Sequence, residues 1–455
     1  MASRRKAIWG WMFFDWANQP FHTLIVTFTF APYFAAEVAA SPAEGQAIWG
    51  YAMTFGALLI AVLAPILGAV ADASGPRRPW ILFFSAVYVF GVAGLWIAVP
   101  GGETLWSVLA FVVVALIGAE FTTVFVNSLL PEIGTKEEIG RISGSGWAMG
   151  YWGGLASLLL VLGFIAPIPG AETTMLGLQP VFGLDPAAGE GARATGPLSA
   201  IWYLVFMVPF LLWTPDVPRR RTEPGAAAKA LADLKRSLIA LPSKGSLFNY
   251  LIASMLYRDA LGGLFVFGGI YAAGVLGWGT FQLGVFGIVA AGTGAVGAWL
   301  GGRADQRFGP KPVILFAIVA LMAVSALTLT TTQTSVLFIP VGSAEAPSAL
   351  PGLVFYFCGA VIGAAGGTLL SASRTMLVRQ AEPGRMGEAF GIYALAGKAT
   401  SFVAPAAIAI VTDATGDQAI GVTPVILLFA VGLLLMLRVA PDGPGGLRVG
   451  AAVAT

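Results

Sequence analysis

One cysteine and one histidine, Cys358 and His22, are present in 455 residues. A lone cysteine rules out an intramolecular disulfide, and the pair cannot build a Cys- or His-based metal cluster. The same scarcity argues against a Ser-His-Asp triad. Charge is sparse as well: Asp, Glu, Lys and Arg are 11% of the chain, against about 25% in soluble domains. The net charge is +2 and the longest basic run is Arg219-Arg220-Arg221, so nucleic acid is not an expected partner. A Walker-type Gly-Lys-[Ser/Thr] is missing, which removes ATP as the expected energy source. Neither cofactor nor metal is expected.

Apolar residues fill the space, at 57% of the chain. A surface with so little charge need not face water, and the lipid bilayer is its natural solvent. A membrane-crossing helix takes roughly 20 mostly apolar residues. Such runs occur at 9–36, 48–71, 80–99, 105–130, 146–167 and 198–213. Six more follow at 247–274, 281–302, 312–330, 353–376, 388–411 and 423–438. The expected fold is an all-α membrane protein with twelve transmembrane helices in two pseudo-symmetric halves. The first run follows Arg4-Arg5-Lys6 and continues from Ile8 to Ala36. A cleavable leader core is only about 7–15 residues long, so this segment is expected to stay as the first span.

The cations predict orientation. With the N-terminus in the cytoplasm, nearly every Lys and Arg outside a span, including Arg448, falls on the cytoplasmic side, and Arg193 alone falls opposite. Cations are retained on that side during insertion, so both termini are expected there. The predicted organisation is a six-helix half at 1–213, a cytoplasmic linker at 214–245, a second half at 246–440 and a tail at 441–455. In the linker, Leu231, Leu234, Leu238 and Leu241 share a helical stripe. It fits an amphipathic helix on the anionic leaflet or an ordinary solvated linker.

One internal repeat has chemical content. Gly68, Asp72, Gly75-Pro76 and the cations Arg77 and Arg78 join spans two and three. Gly301, Asp305, Gly309-Pro310 and Lys311 join spans eight and nine in the same order. The first Gly allows close helix approach, the second a tight turn. Aspartate ends the helix, and a cation faces the leaflet.

These loops resemble the cytoplasmic signature of the major facilitator superfamily. More specific are Phe14-Asp15-Trp16-Ala17-Asn18, Leu130-Pro131-Glu132-Ile133 and Gly140-Arg141-Ile142-Ser143. Ser371-x-Ser373-Arg374 and Glu388-Ala389-Phe390-Gly391-x-Tyr393-x-x-x-Gly397-Lys398 come later in the chain. Together they resemble the branch containing the fungal vacuolar amino-acid effluxer and many bacterial members. Gln19-Pro20-Phe21 departs from the Ser-Ala-[Phe/Tyr] that often follows the Asn in that branch. The resemblance implies a secondary transporter moving a small solute, first an amino acid or related metabolite and by export, through alternating access. It implies a multi-pass protein of the bacterial inner membrane, expected to be a monomer; the carboxylates within the spans, Glu120 or Asp15, make protons the expected coupling ion. A non-transporting receptor or assembly factor on the same fold is the alternative; an intramembrane enzyme lacks its nucleophile and base.

A charge inside a span costs about 2.5–3.5 kcal/mol on insertion scales, so such residues are the candidates. Asp15, Gln19 and His22 share one face of span one, with Asn18 beside them; they either line a central cavity or snorkel to the interface. Glu120 and Asn127, with Thr123, share a face of span four, where Glu120 carries a proton or an ion pair, or is a neutral structural acid. On span seven, Arg258 and Asp259 are adjacent and about 100° apart around the helix, with Tyr257 beside them. A site, a gate or a structural pair are all open there. Asp72, Arg77, Arg78, Asp305, Lys311, Arg374 and Lys398 are expected at the cytoplasmic gate. Glycines at four-residue spacing (Gly146, Gly150, Gly154; Gly297, Gly301; Gly359, Gly363) are expected to pack helices. Trp9, Trp11 and Trp80 are expected to anchor at headgroups.

Overall fold

The computed structural model describes residues 3–167, 172–219, 225–343, 346 and 348–443. Arg220 and Arg221 of the linker, and Arg448 with residues 444–455 of the tail, lie outside them. Among the described residues, twelve helices are long and apolar enough to cross a membrane. They are α1 (Arg4–Val38), α2 (Glu44–Ser74), α3 (Arg78–Ile97), α4 (Leu105–Ser128), α5 (Ile139–Ile165) and α6 (Glu190–Trp213). After the linker helix Ala226–Ala240 come α7 (Gly245–Leu276), α8 (Gln282–Phe308), α9 (Pro310–Leu329), α10 (Leu350–Gln380), α11 (Met386–Thr415) and α12 (Gln418–Leu437). Several run well past the apolar core read from the sequence, because a helix continues beyond the hydrocarbon when its backbone stays hydrogen-bonded. A two-stranded antiparallel hairpin, Ser335–Val336 with Ile339–Pro340, lies between α9 and α10.

The chain packs as two compact units: residues 1–133 with 149–226, and residues 134–148 with 227–455. Segment 134–148, the loop before α5 and the beginning of that helix, thus belongs with the second unit. Each unit is knitted through small residues, since apolar burial alone does not favour helix over lipid contact. In the first, a Cβ at Gly91 would lie 2.5 Å from the Ala115 nitrogen, and one at Gly118 2.6 Å from the Tyr88 Cα. In the second, a Cβ at Gly297 would lie 2.5 Å from the Ala364 Cα, and one at Gly301 2.6 Å from the Thr368 methyl. Gly363 faces Thr293 from the other side of the same α8–α10 seam.

Two helices depart from regular geometry. In α1, the α-helix runs to Pro20 and widens into π-type turns over Phe21–Phe28. In α11, regular helix stops at Ala399 and restarts at Val403. Pro405 sits in the first turn of the second piece, where its missing N–H is no loss.

Both repeat loops turn on a glycine with positive φ, Gly75 at 93° and Gly309 at 84°. Their spacing differs: Gly75 follows Asp72 by three residues, Gly309 follows Asp305 by four. Tryptophan placement also corrects an expectation. Trp11 is fully buried and its indole N–H donates to the Val126 carbonyl at 2.9 Å. It pins α1 to α4 and is no headgroup anchor. Trp80 stacks on Phe125 with ring centroids 5.5 Å apart.

Candidate functional site

In the first unit, the polar stripes of α1 and α4 meet. Asn18, almost wholly buried, donates from Nδ2 to Thr123 Oγ1 at 3.3 Å, and its Oδ1 has no hydrogen-bond partner among the described residues. Asp15, Gln19 and His22 on α1, and Glu120, Thr123 and Asn127 on α4, are half-buried. Glycines of α5 close on this stripe. A Cβ at Gly150 would lie 3.4 Å from the Gln19 Oε1 and 3.6 Å from the Asp15 Cβ; one at Gly154 would meet Gln19 Cγ at 2.8 Å. The four-residue glycine spacing therefore accommodates polar side chains of α1. His22 sits in the π-type stretch, edge-on to Phe21 with ring centroids 5.3 Å apart. Counted at 1.5 Å per residue, Asp15 is roughly 17 Å from the Arg4 end of α1.

The first repeat loop is clamped within its own unit. Arg77, buried, pairs with Asp72 and donates to the carbonyls of Ala71 and Gly75, each at 2.6 Å. Asp216 accepts the backbone N–H groups of Arg77 and Arg78 at 2.7 and 3.1 Å, and Arg78 reaches the Thr214 carbonyl at 2.8 Å. Asp216 is a partner that sequence reading missed, since nothing local marks it.

The second loop is built differently. Lys311 Nζ donates to the carbonyls of Leu437 and Val439 at 2.9 and 2.7 Å, capping the end of α12. Asp305 is 1% exposed, and among the described residues no donor meets either carboxylate oxygen in hydrogen-bond geometry. It lies against Gly140, where a Cβ would come within 2.5 Å of the Asp305 Cγ. Gly140 is in the first turn of α5, where unpaired N–H groups favour a negative charge.

Two sequence motifs 231 residues apart meet on the same segment. Arg374, buried, donates through Nε to Ser143 Oγ at 2.9 Å and through Nη2 to the Ser143 carbonyl at 2.8 Å. Ser143 Oγ donates in turn to the Ser371 carbonyl at 2.8 Å. A neighbouring residue faces α7: Ser373 Oγ lies 2.7 Å from Tyr257 Oη, and its carbonyl accepts from Tyr250 at 2.5 Å. Tyr257 is fully buried in this contact.

Arg258 and Asp259 diverge, as their 100° separation requires. Asp259 accepts the Ala404 N–H at 2.8 Å and caps the second piece of α11. Arg258 lies over the Tyr393 ring, 4.1 Å from its centroid. Lys398 is half-buried in the last turn of the first piece of α11, where a cation complements the helix end.

The pairing of transmembrane polar stripes with two cytoplasmic-type Gly-Pro loops is the layout of a solute carrier, and the family model agrees. The vacuole effluxer Atg22 like family matches residues 42–442. The chain belongs to that family. It is accordingly an MFS-type transporter, an integral multi-pass membrane protein and not an enzyme. YxiO of Bacillus subtilis (strain 168), an MFS-type transporter, is 24% identical over 436 residues, covering 95% of this chain and 94% of that protein. Autophagy-related protein 22 of Cryptococcus neoformans var. neoformans serotype D (strain B-3501A) is 24% identical over 310 residues, 66% of this chain and 53% of its own length. The chain spans about half the length of that fungal relative. Among solved structures, the human organic anion transporter MFSD10 (TETRAN) superposes with a TM-score of 0.67 at 16% identity, over 96% of this chain and 100% of that one. The transporter FucP in its outward conformation gives 0.65 at 15% identity, over 96% and 99%. At such identities these likenesses establish the fold.

Proposed function

We propose that the protein exports an amino acid or related small metabolite by proton-coupled alternating access. The halves 1–213 and 246–440, joined by the linker 214–245, rock about a central site in a bacterial plasma membrane, with both termini in the cytoplasm and the monomer as the working unit. The observation that carries this reading is the half-buried polar stripe of Asp15, Gln19, Glu120 and Asn127 around buried Asn18, in a member of an effluxer family. Carboxylates kept inside a span at that expense mark a solute or proton path. Glu120 and Asp15 are the proton carriers in this scheme; Asn18, Gln19, His22 and Asn127 line the path. Tyr257, Arg258 and Asp259 serve the second half of it. Asp72, Arg77, Arg78, Asp305, Lys311, Arg374 and Lys398 form the cytoplasmic gate.

The test is uptake and counterflow in proteoliposomes with pooled labelled amino acids, with and without an imposed pH gradient. Saturable, gradient-sensitive accumulation is expected. Glu120→Gln should abolish the gradient dependence while leaving counterflow intact. Proton-driven uptake undiminished in that variant would remove Glu120 from the coupling.

A further inference from the structure

Arg258 stands thirteen residues into α7 from Gly245, roughly 20 Å along the helix at 1.5 Å per residue. Among the described residues it makes no ion pair with any carboxylate: its neighbour Asp259 is turned to the Ala404 N–H. Its protein partners are the Tyr393 ring beneath it and the Tyr393 carbonyl, a long contact of 3.4 Å from Nη1. One turn further along α11, a Cβ at Gly397 would lie 2.7 Å from Nη2 and 2.8 Å from Nη1. The guanidinium therefore rests on a shelf made by Tyr393 and Gly397, which share a face of α11 at i and i+4. Tyr393 is itself stacked parallel to Tyr250, with centroids 6.3 Å apart.

This is an expensive arrangement to leave unanswered. A guanidinium has five N–H donors in a planar fork, and among the described residues one of them has a protein acceptor. Ring and backbone of Tyr393 hold the guanidinium, and Arg258 as a residue is half-exposed. A planar fork matches a carboxylate bidentately.

We infer that Arg258, seated on the Tyr393–Gly397 shelf, is the subsite for a carboxylate of the transported solute. This deepens the transporter reading and rests on it. The solute class is a small molecule bearing a carboxylate, either the α-carboxylate of an amino acid or that of a simple organic acid. Gly397 has a specificity role here, because any side chain in its place displaces the guanidinium.

The experiment is transport by the full-length protein in proteoliposomes, comparing each acid with its own amide. The probes are labelled leucine, alanine, lactate and succinate against leucinamide, alaninamide, lactamide and succinamide. Wild type, Arg258→Lys, Arg258→Gln and Gly397→Ala are compared at equal, size-exclusion-verified reconstitution. The readout is the acid-to-amide ratio of apparent affinity within each variant, which a merely structural defect leaves unchanged. Wild type is expected to prefer the acid, and Arg258→Gln to lose about tenfold to hundredfold of that preference, as loss of a charged hydrogen bond implies. Arg258→Lys should keep part of it, and Gly397→Ala should weaken it even if Arg258→Gln does not fold. Amino acids carried with no acid preference, in wild type and variants alike, would overturn the subsite and leave the amino-acid reading standing. Lactate or succinate carried with Arg258 dependence, and no amino acid carried, would support the subsite and overturn that reading. Transport confined to the amides or other non-acids would overturn both.

Discussion

Arg258 and Asp259 are adjacent in sequence yet meet different elements, one an aromatic ring and the other a helix end. The capping role of Asp259 is a local matter of one orphan N–H. The second piece of α11 begins with unbonded backbone donors, and a carboxylate from α7 satisfies that of Ala404. Asp259→Ala should cost about 0.5–2 kcal/mol, the usual range for a lost N-cap. Hydrogen exchange at residues 403–407 is expected to accelerate by about tenfold, which 1.4 kcal/mol would produce. Unchanged protection there would show that the cap does not hold the break. The Tyr257 hydroxyl lies against Ser373 Oγ.

At the scale of elements, the α8–α10 seam is set by contact distance. A Cβ at Gly301 would lie 2.6 to 2.9 Å from three atoms of Thr368, whereas nothing lies within 4 Å of one at Gly292 in the same helix. Gly301→Ala is therefore expected to destabilise by about 1–3 kcal/mol through overpacking. Gly292→Ala should be neutral or stabilising, by up to about 1 kcal/mol of helix propensity. Thermal unfolding of the purified protein distinguishes them; equal melting temperatures would mean the seam yields freely. The linker helix is held by polar contacts and little apolar burial. Of its leucine stripe Leu234 is buried, Leu231 and Leu238 are exposed, and Leu241 falls in the tight turn after the helix. Arg385 reaches Ser237 at 2.9 Å, and Lys244 pairs with Glu382 at 2.6 Å. The hydrogen bond from Lys244, its charge and that of Arg385 hold the Glu382 carboxyl below its usual range. A depressed carboxyl pKa contributes stability above the ordinary value and loses it as pH falls through the depressed one. Protection of residues 226–240 should thus be constant from pH 8 to about pH 5 and fall slightly below about pH 4, where carboxyls protonate. The effect should be small, because the pair is solvent-exposed, and should vanish in Lys244→Gln.

For the whole molecule, the distribution of Lys and Arg makes a topological prediction. Cysteines placed singly at Ser3 and Ser243, in a Cys358→Ser background, should react with an impermeant maleimide only from the cytoplasmic side. One at Thr334 should react only from outside. Labelling of Ser3 and Thr334 from the same side would refute the odd number of spans, nine, between them, and with it the topology drawn from the cations.

The count of twelve helices was readable in the chain because each span needs a long apolar run, and charge between runs marks the turns. So were the two Gly-Pro loops, since a helix end followed by a left-handed turn admits few residues besides glycine. Glu120, Asp15 and Arg258 stood out for being charged where charge is costly. What the sequence could not decide is which of these groups is answered by which other. Ser143 meets Arg374 across 231 residues, and Asp216 clamps a loop more than 130 residues away. Equivalent motif positions acquired different partners, Arg77 its own Asp72 and Lys311 the carbonyls ending α12. Hydropathy and spacing act along the chain and depend on each segment alone. Pairing of polar groups depends on which helices become neighbours, and that is settled only when small residues let particular pairs of helices pack.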